Sequence, residues 1–146
     1  MKKDTWLKKP VKRLLAKLEE EFNKYIRYRD SDGDGYAECI SCGKQIKLGT
    51  IDYQAGHYVP VSMSSYWRFQ EENVNAQCSY CNSFDKERAK LNYRKGMRDK
   101  YGSDHEEYIW DNRHKQVITW NKTWLVERIF HYRELTEQIK KIKGLE

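Results

Sequence analysis

All four cysteines of this 146-residue chain fall in one stretch, as two Cys-x-x-Cys pairs, Cys39/Cys42 and Cys78/Cys81, with 35 residues between them. That spacing folds two knuckles back onto one tetrahedral ion, and a structural zinc closed by four thiolates is the reading it favours. Composition points the same way. Hydrophobic residues make up 38% of the chain and mean hydropathy is −1.03, so a metal staple replacing part of a core makes physical sense. Such pairs are metal ligands far more often than disulfides in a reducing compartment, and the basic start Met1-Lys2-Lys3 leads into no apolar signal segment; a cytoplasmic protein is expected. No apolar run reaches the length of about 18 residues that a membrane span needs.

Charge is distributed unevenly. Residues 1–29 hold ten Lys/Arg against four Asp/Glu and carry the whole formal excess of +6. A second basic concentration lies at 86–100, where Lys86, Arg88, Lys90, Arg94, Lys95, Arg98 and Lys100 face only Glu87 and Asp99. Two basic segments flanking a metal core describe a polyanion-binding surface, although either segment alone also fits a solvated helix face.

Along the chain, Leu7, Val11, Leu14, Leu15, Leu18, Phe22, Tyr25 and Ile26 recur at helical spacing, so residues 5–29 read as a basic amphipathic helix, its regular part beginning just before Pro10, which a first turn tolerates. Its stripe packs either on the metal core or on a second copy. Asp30-Ser31-Asp32-Gly33-Asp34-Gly35 opens like a calcium loop, but Ser41 stands where the bidentate Glu belongs; a turn into the first knuckle is the better reading. Residues 36–60 have the texture of short strands and turns, with residues 50–55 leading in extended form to His57. His105, His114 and His131 read as surface or structural residues. His57 differs, because it lies between two knuckles, ahead of Val59-Pro60, with Asn73 and Asn82 downstream.

The joint pattern Gly56-His57-x-x-Pro60, Asn73 before Cys78, and Cys78-x-x-Cys81-Asn82 resembles the HNH (His-Me finger, ββα-metal) endonucleases, in their four-cysteine, zinc-bearing, endonuclease VII-like branch. More narrowly, Cys39-Ile40-Ser41-Cys42-Gly43, Ala55-Gly56-His57-Tyr58, Arg68-Phe69, residues 73–78 and Asn92-Tyr93-Arg94 resemble the NinG (Rap) recombination endonucleases of lambdoid phages. The likeness covers about residues 36–101. It implies an α+β fold: a small ββα-metal core at 36–101, stapled by a four-cysteine zinc site and flanked by N- and C-terminal amphipathic helices, all in one domain.

The resemblance also implies a metal-dependent, structure-selective DNA endonuclease cutting branched DNA (Holliday junction or D-loop-like) in phage recombination, in the host cytoplasm. His57 would be general base, Asn82 a ligand of a catalytic Mg²⁺ or Mn²⁺, and Asn73 a brace for the loop presenting His57. Phosphodiester cleavage needs such a pair: a water activated near neutral pH, which an imidazole of ordinary pKa about 6.5 can serve, and a hard cation facing the phosphate. Many HNH enzymes carry an acidic metal ligand where this chain has Gly56. Asp85, at i+3 from Asn82 on the finger helix, is the favoured substitute, and Gln54, on the same strand face as position 56, is the other. Lys86, Arg88, Lys90, Arg94, Lys95 and Arg98 are expected to hold the DNA backbone without reading bases. The alternative is a non-catalytic, zinc-stabilised DNA-binding module, for which Gly56 is the argument.

Ser62 to Phe69 reads as a core loop in preference to a base-stacking surface. Gly102 ends the finger helix, Ser103-Asp104-His105-Glu106 has the look of a capping box, a helix continues over 107–114, and 119–143 forms an aromatic-rich amphipathic helix. That helix is core or dimer interface. A homodimer cutting both strands of a junction is a reasonable expectation, as are recombination proteins as partners.

Overall fold

The computed structural model describes residues 2–84 and 86–146. Short helix α1 (Lys3–Leu7) precedes the long helix α2 (Val11–Asp30). The continuous helix expected over 5–29 is therefore broken at residues 8–10. Pro10 has no N–H to offer a preceding turn, and it sits at the head of α2 in extended conformation, φ −67° and ψ 154°. Two two-stranded antiparallel sheets follow: β1 (Tyr36–Glu38) with β2 (Gln45–Lys47), and β3 (Tyr53–His57) with β4 (Val74–Cys78). The chain closes with α3 (Ser79–Ser83), α4 (Lys86–Tyr101), α5 (Ser103–Asp111) and α6 (Lys122–Lys143). The result is a mixed α+β fold with small sheets. Among the described residues no helix is long and apolar enough to cross a membrane.

The stripe of α2 finds its partner within the chain. Leu14, Leu18, Phe22 and Ile26 pack against Leu125, Ile129 and Tyr132 of α6, and the Phe22 ring meets Tyr132 and Phe69 edge-on at centroid separations of 4.9 and 5.8 Å. The aromatic-rich helix is thus core. So are Trp67 and Phe69 of the 62–69 loop, both buried. At the far end, the Lys143 ammonium donates to the carbonyls of Tyr28, Arg29 and Ser31 at 2.9, 2.9 and 2.6 Å. One cation there ties the last turn of α2 to the residue that follows it, the Tyr28 carbonyl also accepting the Ser31 N–H at 3.3 Å.

The β3–β4 hairpin lies between α2 and α4, and its register fixes the candidate site. Gln54 pairs with Gln77, Gly56 with Asn75 and His57 with Val74. The Tyr58 N–H bonds the Asn73 carbonyl at 2.8 Å, so even-numbered residues of β3 make the ladder and Ala55 and His57 turn their backbone groups to the strand's free edge. Side chains alternate correspondingly. Tyr53 reaches α2, its hydroxyl donating to the Arg27 carbonyl at 2.5 Å, whereas Gly56 and Asn75 lie against α4, where the Tyr93 hydroxyl donates to the Gly56 carbonyl at 2.6 Å.

Three further details differ from or refine the sequence reading. The expected capping box does not form: α5 starts after Gly102, at φ +94°, without a side-chain cap, and Glu106 is turned into the protein. α6 begins three residues later than expected, where the Asn121 side chain accepts the Trp124 N–H at 2.9 Å. The calcium-like turn is an Asx turn, with Asp32 Oδ1 taking the N–H groups of Asp34 and Tyr36 at 2.9 and 3.0 Å.

Candidate metal centre and adjoining cleft

The first knuckle is folded by its own backbone: the Gly43 N–H bonds the Cys39 carbonyl and the Cys39 N–H bonds the Lys44 carbonyl, both at 2.8 Å. Gly43, at φ +78°, supplies the left-handed turn this requires. Cys78 ends β4 and Cys81 lies on α3, so a strand-to-helix junction forms the second knuckle. Asp52 braces it by accepting the Ser79 N–H and hydroxyl at 3.1 and 2.8 Å while pairing with Lys44 at 2.7 Å. The result brings the four sulfurs within 4.8 Å of one another, with Cys42 and Cys78 Sγ 3.8 Å apart. Zn–S bonds of about 2.3 Å in a tetrahedron demand an S–S separation of about 3.8 Å. All four cysteines are free thiols, and the cluster has the size and donors to hold one metal ion, consistent with structural zinc.

The electrostatics agree. Burial opposes the Cys39 thiolate, but N–H groups of Cys42, Cys78 and Ser41 aimed at it hold its pKa below the ordinary thiol value. Burial and the neighbouring sulfurs push Cys78 and Cys81 up. Four thiols this close ionise together only around a cation.

Beside this centre, at the free edge of β3, a cleft of about 410 Å³ is lined by His57, Pro60, Gln77, Cys81, Asn82 and Lys90 among others. His57 and Asn82 therefore share one cavity, approached from opposite faces of the hairpin: the imidazole leaves β3 toward α2, and Asn82 stands on the α4 side. His57 Nε2 meets the Arg68 carbonyl at 3.0 Å. A carbonyl only accepts, so Nε2 carries the proton and Nδ1 keeps its lone pair. Burial lowers the His57 pKa below 6.5, the Arg68 carbonyl partly opposing it, and the ring is neutral at pH 7.

Asn73 is fully buried beside the loop that follows His57. Its Oδ1 accepts the Val59 N–H at 2.8 Å, and its Nδ2 donates to the Val59 and Trp67 carbonyls at 3.1 and 3.0 Å. One carboxamide so ties the segment after His57 to the turn preceding the Arg68 carbonyl. Asn82 Nδ2 donates to Gln54 Oε1 at 2.8 Å, which makes Gln54 the oxygen neighbour of Asn82. Asp85 lies outside the described residues. Gly56 has a packing reason: a Cβ built there would lie 1.9 Å from Gln77 Oε1, so the space an acidic side chain would take is filled by Gln77, whose Nε2 is fixed on Ser41 Oγ at 2.9 Å.

The basic residues of α4 divide into two groups. Arg94 and Arg98 are tied to Glu106, their Nε atoms at 3.3 and 2.7 Å from Oε1, while Oε2 accepts the Tyr58 hydroxyl at 2.7 Å. Glu106 is 0% exposed, and although burial raises its pKa, the phenol and two guanidiniums outweigh that and hold it below 4.5. Arg88, Lys90 and Lys95 are exposed and carry no salt bridge among the described residues; the Lys86 side chain lies outside them. Sequence reasoning missed Glu106, Gln77 and the ring-anchoring carbonyl of Arg68. For the last, the adjacent Arg68-Phe69 motif was the available signal.

The sequence matches the family described as Bacteriophage Lambda NinG protein over residues 1–143. "Protein ninG" of Salmonella phage P22 is 31% identical over 117 residues, covering 75% of this chain and 54% of that protein. "Protein ninG" of Escherichia phage lambda is 35% identical over 74 residues, 51% of this chain and 33% of that protein. The chain thus spans between a third and about half of the curated relatives it matches. No solved structure matches it. The chain belongs to the NinG family of lambdoid phage proteins.

Proposed function

We propose that the chain is a metal-dependent DNA endonuclease of the His-Me finger type that cuts branched DNA, with His57 as general base and zinc as a structural staple. The observation that carries this reading is the shared cleft: a neutral imidazole anchored through one nitrogen and a carboxamide on the adjoining helix flank the free edge of one strand. A phosphate seated at that edge has His57 on one side and Asn82 on the other. His57 Nδ1 takes the proton of an attacking water, the water oxygen forms its bond to phosphorus, and the P–O bond to the leaving oxygen breaks. Asn73 holds the ring's surroundings in register without touching substrate.

Asn82 and Gln54 would hold the Mg²⁺ or Mn²⁺ through their carboxamide oxygens, once one amide is turned over, with Gln77 close by. Their oxygens are the donor type a hard cation prefers. The ion supplies charge stabilisation on the phosphate and the leaving oxygen. Neutral ligands bind such an ion weakly, so the DNA phosphate completes the site.

The direct test is a labelled four-way junction incubated with Mg²⁺ or Mn²⁺ and either wild type or His57→Ala. Cutting should fall by about 10²–10⁴-fold while binding survives. Equal nicking by both proteins would remove His57 from the mechanism. Because burial lowers the His57 pKa, the acid limb of the cleavage profile should fall below pH 6.5. A second reading, a zinc-stabilised DNA-binding module without cleavage, is favoured by Gln77 filling the space beside Gly56. Junction binding with no cutting under either ion would select it.

A further inference from the structure

α3 is anchored at both its first turn and its strand junction by metal-ligating cysteines, yet it turns two large aromatic rings outward. Tyr80 is 60% exposed and Phe84 77%. The rings stack on each other, centroids 6.2 Å apart and planes 30° from parallel, and Phe84 is held by its N–H bond to the Tyr80 carbonyl at 2.9 Å. Other aromatics of this half, Tyr53, Tyr58 and Tyr93, are buried. The core therefore does not need the pair. Asn82 lies two residues from each, about 200° around the helix, so the rings project from the far side of α3, about 10 Å from the cleft or about three stacked nucleotide steps.

The charge on the helix that follows points to the class of occupant. The next helix, α4, presents Arg88, Lys90 and Lys95 without acidic partners among the described residues, which suits a polyanion and not an apolar protein face. A paired base offers only its edge to a protein, whereas an unpaired base offers its π-face, and aromatic side chains bind that face with little regard to sequence.

We infer that Tyr80 and Phe84 form a stacking platform for unpaired nucleobases of the DNA, and that it gives the protein its preference for branched over fully paired substrates. The inference rests on the nuclease reading for its substrate class and deepens it by naming what recognises the branch.

The test uses the full chain with zinc, no added divalent ion, and three probes of matched sequence: a four-way junction with 2-aminopurine at the branch, a single-stranded flap, and an intact duplex. The variants are Tyr80→Ala/Phe84→Ala and the conservative Tyr80→Phe. Both positions are exposed, so zinc content and Tm should match wild type. Wild type should quench the branch fluorophore; the double variant should lose the quench and bind junction and flap about ten-fold or more weakly, with duplex affinity within about two-fold. Tyr80→Phe should behave as wild type. Equal losses on all three probes, an unchanged quench, or a changed oligomeric state with junction preference intact would each overturn the platform. With Mg²⁺ or Mn²⁺ then added, a variant that keeps its preference while wild type cuts junctions sinks the platform alone; a wild type that prefers junctions but never cuts them sinks the nuclease reading alone.

Discussion

Between α2 and α6 the buried side chains are Leu14, Leu18, Phe22, Ile26, Leu125 and Ile129, whereas around the cysteines they are chiefly Ala37, Ile46, Tyr53, Ala76 and Ala89. Each large side chain of the first set contributes about 1.5–3 kcal/mol on burial, and an alanine methyl only a fraction of that. The helix pair can hold itself together by packing. The cysteine half has too little apolar surface for that and is left with the ion its four sulfurs could hold, the Asp52 brace, and close backbone approach: a Cβ at Gly96 would lie 2.2 Å from the Ile40 carbonyl. The difference teaches where each half is vulnerable.

The largest effect should come from stripping the metal or from Cys39→Ser. Structural zinc sites carry several kcal/mol of folding free energy, so the apparent Tm should drop by about 10 °C or more. Amide exchange should rise first in β1, β2 and α3 while α2 and α6 stay protected; uniform loss of protection would erase the contrast between the halves. Next comes Phe22→Ala, which removes a ring packed against two others and should cost about 3–5 kcal/mol in denaturant unfolding. Zinc stoichiometry should remain one per chain, and a variant that also lost its metal would show the halves to be a single cooperative unit.

Glu106→Gln should have a smaller effect, about 1–3 kcal/mol, because its arginine partners are roughly 40% exposed and screened. Its sign with pH is fixed. The folded-state pKa lies below 4.5, so the carboxylate's stabilisation is complete above that value and is lost as pH falls through the folded pKa. Wild type and variant should converge in stability in acid and separate toward neutrality. A gap constant across pH would mean that the loss is one of packing. Since Tyr58 follows His57 in the chain, the junction assay on this variant would also report whether the network positions the proposed base.

The parts of the molecule legible in the sequence were those whose partners are set by local spacing. The two knuckles and the stripe of α2 follow from motif and periodicity. Glu106 was not legible, because its partner Tyr58 is 48 residues away and nothing periodic links them; the residue also fitted a capping box well enough to hide its role. Gly56 looked like a missing ligand until the cross-strand register set Gln77 beside it. The break at Pro10 was visible as a residue but not as a break, since a proline tolerated in a first turn can equally end what precedes it.

The Lys143 ammonium, shared among three carbonyls at the end of α2, also constrains how this chain can vary in length. One residue inserted into α6 between Tyr132 and Lys143 swings the amine by about 100° and slides it about 1.5 Å along the axis, out of reach of all three oxygens at once. Indels should therefore be rejected in the last three turns of that helix.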